Sequence, residues 1–168
     1  RGSDATRVNV TINGIPYNDS ESQGVFWVDL PDFTSSVSSL QMQRGVGTST
    51  NGSGAFGASI NLLTDAVSEN AFAEVANSVG SFNSLKHTLM FSTGLLNNNI
   101  EISGRLSKIT SDGYIDRATS DLSSYFLQGA FQDENTLIKA IMFGGHEITY
   151  QSWFGIDVTT LNKNRTYN

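Results

Sequence analysis

The residues in this chain best placed to do chemistry are few. Gly52-Ser53-Gly54-Ala55-Phe56-Gly57 matches the GxGxxG spacing of a phosphate-cradling loop, and Glu74 follows at the distance of a ribose-binding acid. That chemistry needs a buried parallel strand before the loop and a helix after it. Leu40–Arg44 is amphipathic and Ala58–Leu63 lacks helical periodicity, so the context for a dinucleotide fails. His87 and His146 are the only histidines, each in or at the end of a strand pattern and with no cysteine beside it. Neither a zinc site nor a nucleophile–base pair assembles from them, and they read as surface or girdle residues. Asp112, Asp116 and Asp121 share one loop but lack the spacing of a calcium-binding hand. No catalytic residue, metal site or cofactor emerges, and the chain does not read as an enzyme.

Composition narrows the classes further. The 168 residues carry a net charge of −6, and the ten Lys and Arg are scattered, leaving no basic stripe to neutralise nucleic-acid phosphates. Cysteine is absent, so there is no disulfide framework. No apolar run approaches the ~20 residues of a membrane-spanning helix. Any crossing of a bilayer must be made by strands.

Strand signals dominate. Val8–Ile12 alternates and runs into Asn13-Gly14, the dipeptide of a type I′ hairpin turn. Thr34–Ser39 fits a short turn or helix, and Leu40–Arg44 a strand. A change of composition near Ala66–Asn70 separates a Gly-, Ser- and Asn-rich region, holding Pro16 and Pro31, from a run of long alternating segments. These are Phe72–Gly80, Lys86–Leu95, Ile100–Thr110, Ser123–Gln132 and Thr136–Gly145, about ten residues each against roughly five or six in an ordinary strand. In the third, Ile100, Ile102, Gly104 and Leu106 share one face, and Glu101, Ser103, Arg105 and Ser107 the other. Asn97–Asn99 and Asp133–Asn135 are tight connections, whereas Ser111–Asp121 is longer. Short turns at one end and long loops at the other fit an outer-membrane barrel, and a soluble β-sandwich is the alternative.

In its motifs the chain resembles the TonB-dependent outer-membrane receptors. Arg1-Gly2 and the turn Asn13-Gly14-Ile15-Pro16 match the family's plug. So do Leu40-Gln41-Met42-Gln43-Arg44-Gly45 and the run Asn51–Thr64, which echo its "IEVLRGP…YGSGAIGGVINIIT". Val46, Asn51 and Ala58-Ser59 depart from the usual Pro, Tyr and Gly-Val, leaving the glycines in place. The style, including the run from Asn18 to Asp32, is similar to receptors of Bacteroidetes type.

The resemblance implies an all-β-dominated fragment of a plugged transmembrane barrel. Residues 1–68 would be the C-terminal part of an α+β plug, and 69–168 the first five or so antiparallel wall strands. It also implies that the barrel, of about 22 strands, and the TonB-contacting segment extend beyond this sequence. The implied function is TonB-dependent import across the bacterial outer membrane of a bulky nutrient. An iron chelate (siderophore or heme) comes first, and cobalamin or an oligosaccharide are alternatives. The partners would be TonB, that ligand and outer-membrane lipid. Arg44, with Gly45, Gly52, Gly54 and Gly57, would form the plug motif, Arg44 pairing with wall carboxylates. Glu101 and Arg105 would belong to the same kind of plug–wall network. Gln23, Phe26, Trp27, Ser49, Thr50 and Asn51 would lie in apical plug loops that meet the ligand. Phe26 and Trp27 would either stack on a ring system there or pack into the plug core.

Overall fold

The computed structural model describes residues 4–46, 55–150, 152 and 154–168. Gly52, Gly54, Ser49, Thr50 and Asn51 lie outside the described residues. The chain divides into two compact units. One comprises residues 1–27 and 33–66, the other residues 28–32 and 67–168.

The first unit holds a four-stranded sheet in the order β2-β1-β4-β3. Strand β1 (Val8–Ile12) turns back through Asn13 and Gly14 into the two-residue β2 (Ile15–Pro16). Both turn residues have positive φ, 52° and 81°, as a type I′ turn requires. Strand β4 (Ala58–Thr64) lies parallel to β1 and antiparallel to β3 (Val37–Arg44). In the β1–β4 pair Val10, Ile12 and Leu62 are buried, as is Phe33 of the 3-10 turn Phe33–Ser36. The short turn expected over Thr34–Ser39 ends at Ser36, and β3 begins at Val37. Ser59 is fully buried, and its hydroxyl has no partner among the described residues.

Gly45 closes β3 at φ 82°, a conformation an L side chain enters only with strain. Its N–H donates to the Gly57 carbonyl, and the Gly57 N–H donates to that of Arg7. Space around Gly45 is open, so the backbone alone decides the residue. Gly45→Ala is expected to cost about 1–2 kcal/mol in thermal or denaturant unfolding, with little change at the other sites.

The second unit is an antiparallel meander of five strands, β5 (Ala71–Gly80), β6 (Ser84–Thr93), β7 (Ile100–Ser111), β8 (Ser120–Gln132) and β9 (Leu137–Thr149), followed by the one-and-a-half-turn helix α1 (Val158–Lys163). The later strands outrun the expected bounds. Pairing continues through Asp121↔Ile148 to Ser120↔Thr149, since backbone ladders need no apolar side chains. The Asn97-Asn98 turn has positive φ at both residues, and its ring closes with Asn99 N–H donating to Leu96 O. At the opposite end β5 and β6 join by an equally tight turn at Phe82-Asn83, so that end is not served by long loops alone.

This sheet is apolar on the wrong side for water. Leu89, Leu106, Tyr125, Leu127 and Phe131 are exposed, while Thr88, Ser92, Glu101, Arg105, Ser107, Ser124 and Gln128, on the opposite face, are buried. A water-soluble sandwich buries the apolar face of each sheet against its fellow. Here that face is bare among the described residues.

Candidate functional site

Two groups of residues carry interactions beyond fold maintenance. The first is the loop after β2. Asn18 braces it, donating from Nδ2 to the carbonyls of Val8 and Gln23, both at 2.8 Å, and accepting from the Val10 N–H at 2.8 Å. Asp19 accepts the N–H groups of Ser22 at 2.7 Å and Glu21 at 3.0 Å. Those backbone donors, Ser22 first, hold its carboxyl below the ordinary carboxylate range. Gln23 sits at φ 58° with its amide turned inward to the Ser20 carbonyl, so its side chain is spent on the loop. Phe26 and Trp27 follow, 55% and 52% exposed. A half-exposed aromatic pair therefore ends a hydrogen-bonded loop.

Arg44 ends β3 exposed, and among the described residues it makes no ion pair. Among the described residues the buried cation is Arg105.

The second group lies on the polar face of the five-stranded sheet, within the second unit. Segment Val28–Asp32 belongs to that unit. It ends in Asp32 at φ 53°, a left-handed backbone that Asp tolerates better than most residues. One carboxylate oxygen accepts from Lys86 Nζ at 2.7 Å. The other accepts from Arg105 Nη1 at 3.1 Å and from the Ser107 hydroxyl. The same Arg105 nitrogen donates to Ser124 Oγ at 3.1 Å. Asp32 and Arg105 are 7% and 3% exposed at their side chains. Removing two charges from water to this degree is unfavourable unless pairing and hydrogen bonds compensate, as they do here. Just before Asp32, Pro31 lies on Gly145 of β9. A Cβ at 145 would fall 2.3 Å from Pro31 Cγ.

Four residues back along β7 on the same face, Glu101 forms a neighbouring cluster. Its carboxylate accepts from Ser92 Oγ at 2.8 Å, from the Ser68 N–H at 3.1 Å and, at 3.4 Å, from Gln128 Nε2. Glu101 and Gln128 are fully buried. All three partners are neutral donors, which suits a carboxylate held by hydrogen bonds rather than by a cation.

Sequence reading placed Glu101 and Arg105 on one polar face, and the structure puts both there, each in its own cluster. Ser107 shares that face as expected, whereas Asp32, Lys86, Ser124 and Gln128 were not singled out. Asp32 lies 54 and 73 positions from Lys86 and Arg105, in a stretch with no periodicity to say which way it faces. The available signal was chemical: an acid at the end of Leu30-Pro31-Asp32, and two cations on strand faces otherwise made of small polar residues.

An antiparallel wall with bare apolar exterior and buried polar interior, preceded by a small mixed sheet, is the fold of the TonB-dependent outer-membrane receptors, and the chain shares it with solved structures of that kind. The ferripyoverdine receptor of the outer membrane of Pseudomonas aeruginosa, bound to ferripyoverdine, matches 80% of this chain and 18% of its own at 18% identity, with a TM-score of 0.66. The siderophore receptor PiuA from Acinetobacter baumannii matches 87% of this chain and 20% of its own at 17% identity, with a TM-score of 0.64. The copper transporter OprC matches 84% of this chain and 23% of its own at 18% identity and a TM-score of 0.62. The chain therefore spans about a fifth of the length of such receptors. No protein-family model matches the sequence, and no curated protein sequence matches it.

Proposed function

We propose that this chain is part of a TonB-dependent receptor of the bacterial outer membrane, residues 1–68 contributing to the plug and 69–168 to the barrel wall. The whole protein imports a scarce, bulky nutrient, with TonB supplying the drive. The observation that carries the reading is the inverted polarity of the five-stranded sheet. An exposed apolar face of Leu, Phe, Ile and Tyr on strands of 10 to 13 residues matches a lipid-facing wall, which takes about 9–11 tilted residues per crossing. The buried face of hydroxyls, amides and paired charges suits a lumen in contact with protein.

The cargo we infer is an iron chelate, a siderophore or heme. Support comes from the bare Phe26–Trp27 pair on its braced loop, and from the ligands in the names of two structural neighbours. The third neighbour is named for copper, so metal-bearing cargo is the common element.

The test is direct binding to the intact protein in detergent, followed by the fluorescence of its tryptophans, with ferric siderophores, heme, cobalamin and oligosaccharides offered in turn. Trp27→Ala is expected to weaken the true ligand by about 1–2 kcal/mol, roughly five- to thirty-fold. Saturable binding of cobalamin or a glycan alone would move the cargo to that class. Binding of a ferric chelate that is indifferent to Trp27→Ala would remove this loop from the site.

A further inference from the structure

We propose that the apolar face of the five-stranded sheet binds the phosphate of a membrane lipid, through Lys108 and His87 at the polar end of an apolar groove. The proposal builds on the reading of β5–β9 as barrel wall. Residues directly opposite one another in an antiparallel pair share a face. The register therefore aligns Asn77, His87, Lys108, Ser123 and His146 in one row across all five strands, on the face of Leu89, Leu106 and Leu127. The nitrogen bases that the strands place on this face, His87, Lys108 and His146, all stand in that row. Its one carboxylate, Asp121, lies opposite Thr110 in the next row out. In β7 and β8 the row ends the apolar run: Ile100, Ile102 and Leu106 give way to Lys108, and Phe131, Leu127 and Tyr125 to Ser123. Cations gathered where an apolar band stops stand where hydrocarbon meets headgroups.

A groove of about 270 Å³ lies there, with Val75, Leu89 and Leu106 as its apolar wall and His87 and Lys108 on the adjoining row. Lys108 Nζ donates to Asp121 and, at 3.2 Å, to Ser123 Oγ. An ammonium carries three protons, so one is left for a phosphate oxygen. His87 Nδ1 stands 2.6 Å from Asn77 Oδ1, which only accepts, so Nδ1 carries the proton of that bond. In the charged form of the ring Nε2 donates as well, giving the phosphate a second cation. Acyl chains along the groove add apolar burial that inorganic phosphate lacks. Asp121 competes with the phosphate for the same ammonium and restrains the affinity.

The experiment titrates the intact protein in detergent with phosphatidic acid and with diacylglycerol of the same chains, probes that differ only in the phosphate. Native mass spectrometry counts the bound copies. The first copy of phosphatidic acid is expected to bind about five- to tenfold more tightly than diacylglycerol, the gain from a cation meeting an anionic headgroup. Lys108→Gln is expected to abolish that preference and His87→Gln to reduce it. Asp121→Asn is expected to increase it, by releasing the ammonium. Inorganic phosphate in excess is expected to leave the lipid bound. Equal binding of the two probes, or a preference that survives Lys108→Gln, overturns the site. Displacement by inorganic phosphate overturns the lipid as its source. Heat-modifiable migration on gels reports the barrel. Should Lys108→Gln prevent its formation, Asp121→Asn decides, and a preference that fails to rise overturns the proposal. Binding of neither probe overturns the wall reading and the site with it, whereas equal binding of both removes the site alone.

Discussion

Arg105→Met is expected to destabilise the intact protein by about 3–5 kcal/mol, the range seen when one member of a buried ion pair is deleted. The methionine fills most of the volume, so the loss is electrostatic rather than a cavity. Asp32 keeps Lys86 and Ser107, but Lys86 is a third exposed and shares its charge with solvent, which places the expected loss toward the lower end. Equilibrium unfolding in urea, followed for the protein in lipid vesicles, reads the value. The double variant Arg105→Met with Asp32→Leu should recover much of it, because a buried pair replaced by apolar groups is often neutral. A loss below about 1 kcal/mol for the single change would mean that the guanidinium is hydrated and the buried pair does not exist as described.

Leu127→Arg carries the second large effect. Leu127 lies near the middle of β8 on the exposed apolar face, and its neighbour Gln128 is fully buried on the other. If that face meets hydrocarbon, an arginine there costs about 2–4 kcal/mol near the midplane and less toward the strand ends. If it meets water, the same change lies within about 0.5 kcal/mol, as for other exposed positions. Vesicle unfolding of Leu127→Arg beside Ile138→Arg, which pairs with Phe131 on the same face near the start of β9, supplies both the size and the depth dependence. A flat, small response at both positions is incompatible with a lipid-facing wall.

The wall strands were legible because period-two patterning reports one face at a time, and each segment from Phe72 to Gly145 alternates. The Asn13-Gly14 turn was legible because few residue pairs accept positive φ twice. The Phe82-Asn83 turn was not, since a phenylalanine at φ 58° breaks the usual turn chemistry. Strand ends were underestimated in β8 and β9 because Ser120, Asp121, Glu147 and Thr149 pair through backbone atoms and show no apolar rhythm. Periodicity also assigns residues to faces without saying which face is covered, so the burial of Glu101, Arg105 and Gln128 was a matter for coordinates. Asp32 was hidden for a different reason. Its partners are fixed by the path of an irregular segment, and such a path follows from tertiary contacts rather than local propensity. Arg44, prominent in the motif, finds no ion pair among the described residues.

The inverted polarity of the five-stranded sheet has a consequence for biogenesis. A polypeptide bound for the outer membrane must first pass through water, where Leu89, Leu106, Leu127 and Phe131 have nowhere to hide. Folding in advance would present all of this surface at once, so the wall must reach lipid before it closes. The same side chains that stabilise the finished protein make its journey a race against aggregation, and escorting the chain unfolded is the physical solution.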